Sequence, residues 1–437
     1  MKEAKTSGRF SHAWRALRHR NFRLFFVGQS VSLIGTWMTR LATSWLVYRL
    51  TGSALLLGVV GFSGQILTFV VAPFAGVWVE RMDRRKLLVW TQVAAAAQSL
   101  ALAGLTLAGV ITVHEIIGLS VLQGVVNGFD MPGRQAFTAQ MVADKADLGN
   151  AIALSSSIVN LARLVGPALA GFVIAWVGEG QCFLIDGLSY FAVIASLLMM
   201  RLPKSSMERA TASMFEQMKE GWTFVRTFRP IRTILLLFAL LSLLGAPYMV
   251  LMPVFAKTVL HGGANTLGWL TGASGLGALV SAITLTLRRS VRGLLRMIAV
   301  AGAMFGGGLI ALGLSQALWL SLALMAVVGF GMIQAAAACN TLVQTLSPED
   351  KRGRVMSYYT MAFMGSAPLG SLIDGALAHR FGAPHTVMLT GAACVVAAGW
   401  YATQLPAMRA VMRPIYQEMG ILPNPAETVL DDTAGRS

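Results

Sequence analysis

Charged residues are scarce in this chain, and acidic ones are the scarcest. Only 12% of the 437 residues are charged, whereas 55% are hydrophobic. The chain has 19 Asp and Glu against 35 Lys and Arg, a formal net charge of +16. A composition this apolar excludes most soluble classes and is typical of a polytopic membrane protein. The cations cluster between apolar runs and form no stripes with aromatic residues, so we expect no nucleic-acid partner.

The groups with which enzymes usually work are also lacking. The three cysteines, Cys182, Cys339 and Cys394, show no metal or redox spacing. No Gly-x-x-x-x-Gly-Lys-Ser/Thr segment occurs, which argues against direct ATP hydrolysis. No His cluster or nucleophile–base pair falls within the apolar runs. We therefore expect no enzyme, no cofactor and no metal site.

Long apolar runs dominate what is present. About 20 helical residues cross roughly 30 Å of hydrocarbon, so the runs predict an all-α fold with twelve transmembrane helices. Weak matches at nearly constant offsets, such as Leu57-Gly58 with Leu267-Gly268, predict two pseudo-symmetric six-helix bundles around a central cavity. The predicted segments are a basic N-terminus (1–20), two bundles (21–200 and 231–404), an interdomain segment between them (201–230) and a mostly disordered tail (405–437).

The distribution of cations predicts the orientation. Only five Lys and Arg residues lie in the predicted outer turns or deep in the spans, and the other cations lie in or beside the inner segments. By the positive-inside rule, both termini are cytoplasmic and the protein lies in the cell (inner) membrane. The five exceptions are Arg49, Lys257 and Arg380 in the turns and Arg40 and Arg163 in the spans.

Two segments outside the spans have an amphipathic pattern. Phe10, Trp14 and Leu17 are spaced like one face of a helix that could lie on an anionic leaflet. In the interdomain segment, residues 214–228 predict a short helix at the inner leaflet. Its apolar face would contain Met214, Met218, Trp222 and Phe228.

Polar residues at steps of three and four occupy one face of spans 1, 4 and 5. Lipid does not accept a charged face, so we expect these faces to point inward. For the Ser and Thr residues, hydrogen bonding between helices is the favoured alternative. The candidate substrate-cavity residues are Thr36, Arg40, Gln123, Asn127, Asn160, Arg163, Gln334 and Tyr358.

Arg40 and Arg163 are the span residues for which we favour function. Arg163 lies about 22 Å from the inner end of span 5, too deep to reach the surface easily. Arginine cannot shed its proton, so each needs a carbonyl or amide network, water or an anionic ligand. Two such cations would form a positive cavity wall suited to carboxylate or catecholate groups. The alternative for Arg163 is hydrogen bonding to carbonyls beside Pro167.

The turn between spans 2 and 3 reads Gly76-Val-Trp-Val-Glu-Arg-Met-Asp-Arg-Arg-Lys86. It resembles the Gly-x-x-x-Asp-Arg-x-Gly-Arg-Arg turn of Major Facilitator Superfamily transporters. Gly76, Arg81, Arg84 and Arg85 match, whereas Glu80 and Asp83 replace an Asp and a Gly. The resemblance implies that this turn and Arg354 take part in gating. We expect Glu80 to face the N-terminal end of span 11 when the inner gate is closed.

Span 5 contains Arg163-Leu-Val-Gly-Pro-Ala-Leu-Ala-Gly171, which is similar to the Gly-Pro-x-x-Gly-Gly motif of drug–proton antiporters. Pro167 removes a backbone hydrogen bond, and Gly166 and Gly171 allow close helix approach, so this site could pivot. The stretches 127–135 and 351–357 look like the branch that contains the enterobactin exporter and macrolide efflux proteins. The resemblance implies alternating-access export of a small amphipathic molecule, a siderophore or macrolide-like drug, by proton antiport.

One position departs from the superfamily pattern. Antiporters usually have an Arg three residues before the Gln-Gly pair of span 4, and here Ser120 precedes Gln123-Gly124. Proton coupling would then fall to the two buried arginines or to a carboxylate, Asp130 or Asp186. Two alternatives stay open, a lipid or lysophospholipid carrier and a non-transporting membrane sensor. A sensor would need no polar faces in its spans.

Overall fold

The computed structural model describes residues 14–142, 144–201, 214–288 and 290–419, and the regular structure in these ranges is helical. The first half contains α1 (Arg20–Thr51), α2 (Ala54–Arg81), α3 (Arg84–Leu107), α4 (Val113–Met141), α5 (Leu148–Val177) and α6 (Glu179–Met199). A connecting helix, α7 (Met214–Thr227), follows. The second half contains α8 (Arg229–Leu244), α9 (Tyr248–Val254), α10 (Ala264–Thr286), α11 (Leu294–Leu314), α12 (Leu318–Leu346), α13 (Arg352–Met364), α14 (Ser366–Phe381) and α15 (Ala383–Glu418).

Ten segments in the described ranges are long and apolar enough to cross a membrane. Two of these spans are interrupted helices: α8 and α9 continue into a π-helix at Phe255–Val259, and α13 joins α14 at Gly365. The long helices α1 and α4 fall outside the ten and occupy the places of the first and fourth predicted spans. These two helices contain many of the polar positions that the sequence marks out. The all-α polytopic fold is confirmed, and the count is consistent with twelve spans.

The helices pack as two six-span bundles. In the first bundle α1 contacts α5 and α6, α2 contacts α4, and α3 contacts α4 and α6. In the second, α12 contacts α10 and α11, and α11 contacts α15. The bundles meet chiefly through two helix pairs, α2 with α14 and α5 with α10. These are spans 2 and 11 and spans 5 and 8, which a pseudo-twofold relation between the halves would exchange.

The bundles approach most closely toward one end of the molecule. We call this the glycine end, after the turns at Gly52, Gly178 and Gly382, and the opposite end, with Arg84, Arg85 and Lys86, the basic end. A Cβ added at Gly58 of α2 would lie 3.1 Å from the Gly375 Cα of α14.

The second helix pair shows the same close approach. A Cβ added at Gly171 of α5 would lie 3.1 Å from the Gly268 Cα of α10. Phe172 and Trp269 also meet edge to face across this pair, with ring centroids 5.6 Å apart. The inter-bundle contacts at glycines lie between the middle of the helices and the glycine end, so the molecule is closed there.

The expectation of a mostly disordered tail from residue 405 is wrong for its first part. Helix α15 continues to Glu418. Leu405, Met408, Met412 and Tyr416 recur at steps of three and four and are buried in the core of the second bundle. Burial of this apolar stripe stabilises the helix beyond the membrane span. The rest of the predicted tail lies outside the described residues.

The helix predicted at 214–228 is present as α7, and another of its faces packs against protein. Gly221 and Val225 are buried, whereas Trp222 is 52% exposed. Helix α7 lies against α13 of the second bundle, where Glu220 forms an ion pair with Arg354. The Trp222 ring also lies 5.6 Å from the Tyr358 ring. The side chains of Met214 and Met218 lie outside the described residues.

The chain before α1 packs against the first bundle. Ala16 is buried and its backbone N–H donates to Asn150 Oδ1 at 2.9 Å, while His19 lies 3.1 Å from Asp147. Trp14 is 53% exposed. Phe10 of the predicted amphipathic face lies outside the described residues.

Replacing Gly221 by Leu should detach α7 from α13. A Cβ at Gly221 would already lie 3.0 Å from Arg354 Cβ, and overpacking of this kind costs about 1–3 kcal/mol. We expect amide exchange of residues 219–227 to accelerate by about tenfold or more, measured by mass spectrometry in nanodiscs. Thr223→Leu on the exposed face is the matched control and should leave exchange unchanged. Equal exchange rates in both variants would show that α7 is not held by this contact.

Candidate substrate site

Two arginines share one tryptophan ring near the middle of the helices. The Arg40 guanidinium carbon lies 4.9 Å from the centroid of Trp37, and that of Arg163 lies 5.7 Å from the same ring. Arg40 is exposed and Arg163 is half-buried. The structure therefore brings together the two cations predicted for the cavity wall. It adds Trp37, which the sequence analysis missed although it precedes Arg40 by three residues on the same helix.

The Gly166–Pro167 segment of α5 makes room for this arrangement. A Cβ added at Gly166 would lie 2.6 Å from Trp37 Cβ and 3.0 Å from the carbonyl oxygen of Ile34. Real Cβ contacts are essentially never this short, so any other residue at Gly166 would push α1 away from α5. The close packing of α1 on α5 is what places Arg40 and Arg163 beside the same ring.

The second bundle forms the other side of the site. A Cβ added at Gly275 of α10 would lie 3.1 Å from the carbonyl oxygen of Arg163. Tyr248 of α9 lies near enough to Arg163 to interact with its charge, and its hydroxyl is 2.8 Å from that of Ser274. Arg163 thus lies where the two bundles meet, at the inner limit of the closed glycine end.

Neither guanidinium is neutralised by a neighbour. The ion pairs found in the described ranges include neither Arg40 nor Arg163. Arg163 Nε is buried and has no hydrogen-bond partner among the described residues. Asp186 attracts the positive charge of Arg40 electrostatically but forms no ion pair with it among the described contacts. A pair of cations at this depth is costly without water or an anionic ligand.

Three other predicted cavity residues lie elsewhere. Thr36 donates to the carbonyl oxygen of Ser32 at 3.0 Å, inside the first bundle. Gln334 is 6% exposed and accepts a hydrogen bond from Ser281 at 2.6 Å, inside the second bundle. Tyr358 faces α7. The Thr36 hydroxyl also lies 3.5 Å from Asp186 and 3.4 Å from the Tyr190 hydroxyl of α6, which supports the interhelical hydrogen-bonding interpretation for Thr36.

The amides of α4 and α5 bond within their own helices. Gln123 donates to Asn127 Oδ1 at 3.1 Å, and Asn160 donates to the carbonyl oxygen of Ser156 at 3.0 Å. Gln123, Asn127 and Asn160 are half-buried, and Ser156 is exposed. Asn160 and Ser156 lie on the part of α5 between Arg163 and the basic end.

The carboxylates predicted for proton coupling are satisfied inside the first bundle. Asp130 accepts hydrogen bonds from Thr91 at 3.0 Å and Gln92 at 2.7 Å, and it forms an ion pair with Arg134. Asp186 accepts a hydrogen bond from Ser99 at 2.8 Å. These contacts join α3 to α4 and α6.

The predicted gating turn is attached to the first bundle. Asp83 caps α3 by accepting hydrogen bonds from the backbone N–H groups of Arg85 at 3.0 Å and Lys86 at 3.2 Å, which explains an acidic residue at the glycine position of the family motif. The side chain of Arg84 donates to the Ala136 carbonyl, and that of Arg85 to the Leu198 carbonyl.

The N-terminal end of span 11, where Glu80 is expected to pack, contains Arg354, which is paired with Glu220 of α7. Gly76 and the side chains of Glu80 and Arg81 lie outside the described residues, so the contact between Glu80 and span 11 stays a prediction.

Two pseudo-symmetric six-span bundles that meet around the Arg40 and Arg163 pair have the architecture of Major Facilitator transporters. The profile of the transmembrane secretion effector family matches residues 11–435. The chain belongs to this family.

Curated relatives match most of the chain. It is 24% identical to the staphyloferrin A transporter of Staphylococcus aureus, a match that covers 84% of this chain and 92% of that protein. It is 26% identical to the multidrug efflux pump Tap of Mycolicibacterium fortuitum, over 86% and 93% of the two chains. For macrolide efflux protein A of Streptococcus pyogenes the identity is 23%, over 86% and 94%.

Solved structures confirm the fold. A POT family transporter in complex with 5-aminolevulinic acid superposes with a TM-score of 0.70 at 12% identity. The match covers 89% of this chain and 96% of that one. At this identity the likeness concerns the fold alone.

Replacing Gly166 by Ala should destabilise the protein, because the new methyl group would overlap Trp37. We expect a loss of about 1–3 kcal/mol, measured as a lower melting temperature in detergent. Gly149→Ala, on the same helix, is the control, since a Cβ there meets nothing within 4 Å. It should leave stability equal or higher, because Ala favours a helix over Gly. A melting temperature for Gly166→Ala at or above that of the wild type would contradict the steric argument.

Proposed function

We propose that this protein exports a small amphipathic anion from the cytoplasm by alternating access, in exchange for protons. The observation that carries the proposal is the pair of un-neutralised guanidinium groups, Arg40 and Arg163, beside the Trp37 ring. An aromatic ring of the ligand could stack on Trp37, while its carboxylate or catecholate oxygens accept charge-assisted hydrogen bonds from both arginines. The same cations would repel a positively charged drug.

A siderophore is the cargo class that this chemistry favours, because catecholate and carboxylate groups match a positive wall. The relationship to the staphyloferrin A transporter supports this choice. A macrolide-like drug is the second candidate, supported by the relationship to macrolide efflux protein A. A lysophospholipid carrier would use the same cations to bind a phosphate. Membership in a transporter family argues against the non-transporting sensor.

The proposed orientation determines which side of the membrane each end of the molecule faces. If the basic end faces the cytoplasm, as the cation distribution predicts, the closed glycine end faces outward and this structure is open inward. Substrate would then reach Arg163 along the α5 segment that contains Ser156 and Asn160. Separation of α2 from α14 and α5 from α10 would open the outer side.

The orientation is tested by accessibility in intact cells. Single cysteines at Arg380, at the glycine end, and at Arg352, at the basic end, replace exposed side chains. The native cysteines are buried and should react little with a membrane-impermeant maleimide. We expect labelling of Arg380→Cys in intact cells and of Arg352→Cys only after permeabilisation. The reverse pattern would contradict the proposed orientation.

Removing either arginine charge should weaken binding of anionic cargo. Hydrogen bonds to charged groups contribute about 1.5–3 kcal/mol, so Arg40→Gln and Arg163→Gln should each raise Kd by about ten- to a hundredfold. The measurement is equilibrium binding of radiolabelled staphyloferrin A, enterobactin and erythromycin to purified protein in nanodiscs, followed by transport in vesicles. Arg296→Gln, an exposed arginine outside the site, is the matched control.

The result separates the candidate cargoes. Tight binding of either siderophore that both Gln variants lose supports the proposal. If only erythromycin binds, and binds equally to all variants, the anionic-cargo proposal is wrong. Arg163→Lys adds a second test, because full recovery would mean that charge suffices and the planar guanidinium fork is not needed.

A further inference from the structure

One buried carboxylate differs from the others in the described part of the chain. Asp374 of α14 is 0% exposed, and neither of its oxygens has a hydrogen-bond partner among the described residues. Asp130 and Asp186 are equally hidden, but each accepts hydrogen bonds from side chains of a neighbouring helix. The sequence analysis assigned no role to Asp374.

Asp374 lies within the wall that closes the glycine end. It is seven residues before the end of α14 at Phe381, about 10 Å along the helix axis. Ser371, three residues before it, and Gly375, directly after it, contact α2: a Cβ at Gly58 would lie 3.3 Å from the Ser371 carbonyl carbon and 3.1 Å from the Gly375 Cα. The burial of Asp374 and the closure of this end therefore involve the same segment.

No cation among the described residues forms an ion pair with Asp374. Its side chain is fully buried. The buried thiol of Cys394 belongs to α15, a helix that contacts α14. The described part of α2 between 54 and 75 contains no charged residue, and Tyr248 of α9 is bonded to Ser274. The remaining titratable groups on the helices that contact α14 are Arg229 and Arg232 on α8, Arg352, Arg354, Tyr358 and Tyr359 on α13, His379 and Arg380 at the end of α14, and His385, Tyr401, Arg409, Arg413 and Tyr416 on α15.

An ionised carboxylate without donors in a dry protein interior costs several kcal/mol, whereas the neutral acid costs far less. The closed glycine end therefore requires a protonated Asp374. Where α2 separates from α14 and water enters, hydration stabilises the ionised form. Proton binding at Asp374 and closure of this end are thus linked, and each favours the other.

We propose that Asp374 is the proton-binding site that permits the glycine end to close. In the open state its carboxylate takes a proton from hydronium, which becomes water, and the neutral acid is buried when α14 meets α2. The proton returns to water when the carboxyl group is next hydrated. The proton is taken up from and returned to the same side of the membrane, so Asp374 links closure of the glycine end to the pH on that side and does not itself carry a proton across. This inference goes beyond the proposed export.

The test measures the conformation of the glycine end directly and needs no substrate. Nitroxide labels are placed at Leu50→Cys on α1 and Arg380→Cys on α14, both exposed. Their separation is measured in nanodiscs by double electron–electron resonance from pH 5 to pH 9. In the otherwise unchanged protein, raising the pH should convert a short-distance population into a longer one. Because one proton is linked, the ratio of the populations should change by up to about tenfold per pH unit.

Asp374→Asn and Asp374→Leu cannot ionise, so both should hold the short distance at every pH. Two variants are used so that the misfolding of one does not end the test. Asp374→Glu should restore the pH dependence. Glu179→Gln, a paired carboxylate at the same end, is the control and should keep the wild-type response.

Two outcomes would overturn the proposal. The first is a distance distribution that does not change with pH while Asp374 is present. The second is a pH response that survives in Asp374→Asn or Asp374→Leu, or that Asp186→Asn abolishes instead. Failure of siderophore binding would leave these distances unaffected, so the cargo proposal and the proton-site proposal can fail separately.

Discussion

The close contact of the two bundles toward the glycine end is the constraint on which the rest of this structure depends. Small residues make it possible, since Gly58 meets Gly375 on one pair of helices and Gly171 meets Gly268 on the other. Helices that approach this closely gain dispersion contacts without large side chains between them. The same contacts set the depth at which the space between the bundles ends, which is the level of Arg163.

Ion pairs hold two buried carboxylates within the first bundle, and three other groups differ. Asp130 pairs with Arg134 and Glu179 with Arg49. Arg40 and Arg163 form no ion pair with a described residue. In the second bundle Asp374 has no hydrogen-bond partner among the described residues. The arginine pair and Asp374 therefore lie in different bundles, on either side of the interface that alternating access would open and close.

Both ligands would stabilise the same state. An anionic cargo would satisfy the arginine pair, and a proton would satisfy Asp374, while the basic end is open and the glycine end is closed. Each ligand removes a desolvation cost that its site otherwise bears. Neither site needs contact with the other, because both act on the same closure of α2 on α14 and α5 on α10.

Helix α7 adds a further contact on the basic side. Glu220 of α7 forms an ion pair with Arg354, the residue that the family resemblance assigns to gating. The described part of α7 contacts α13 and α8 of the second bundle. By the family resemblance, closure of the basic end would bring the turn at Asp83 toward span 11, the span on which α7 lies.

The sequence by itself determined the helical membrane fold, because runs of about 20 apolar residues in a bilayer have few alternatives. It also identified Arg40 and Arg163, since a cation far from either end of an apolar helix is costly whatever the fold. It failed for 405–418, where an apolar stripe among charged residues was taken for a disordered tail. Hydropathy averages over all faces of a helix and so conceals a single buried stripe.

Only the tertiary structure decided what each polar residue does. Gln334 and Thr36 have the same spacing as cavity residues, yet their partners lie within their own bundles. Trp37 acquires its role from α5, more than a hundred residues along the chain, because Gly166 lets the two helices meet. Asp374 stands apart from Asp130 and Asp186 only through its lack of a donor. Which residue on another helix becomes a hydrogen-bond partner depends on how the two helices rotate and approach each other. A single sequence does not reveal either.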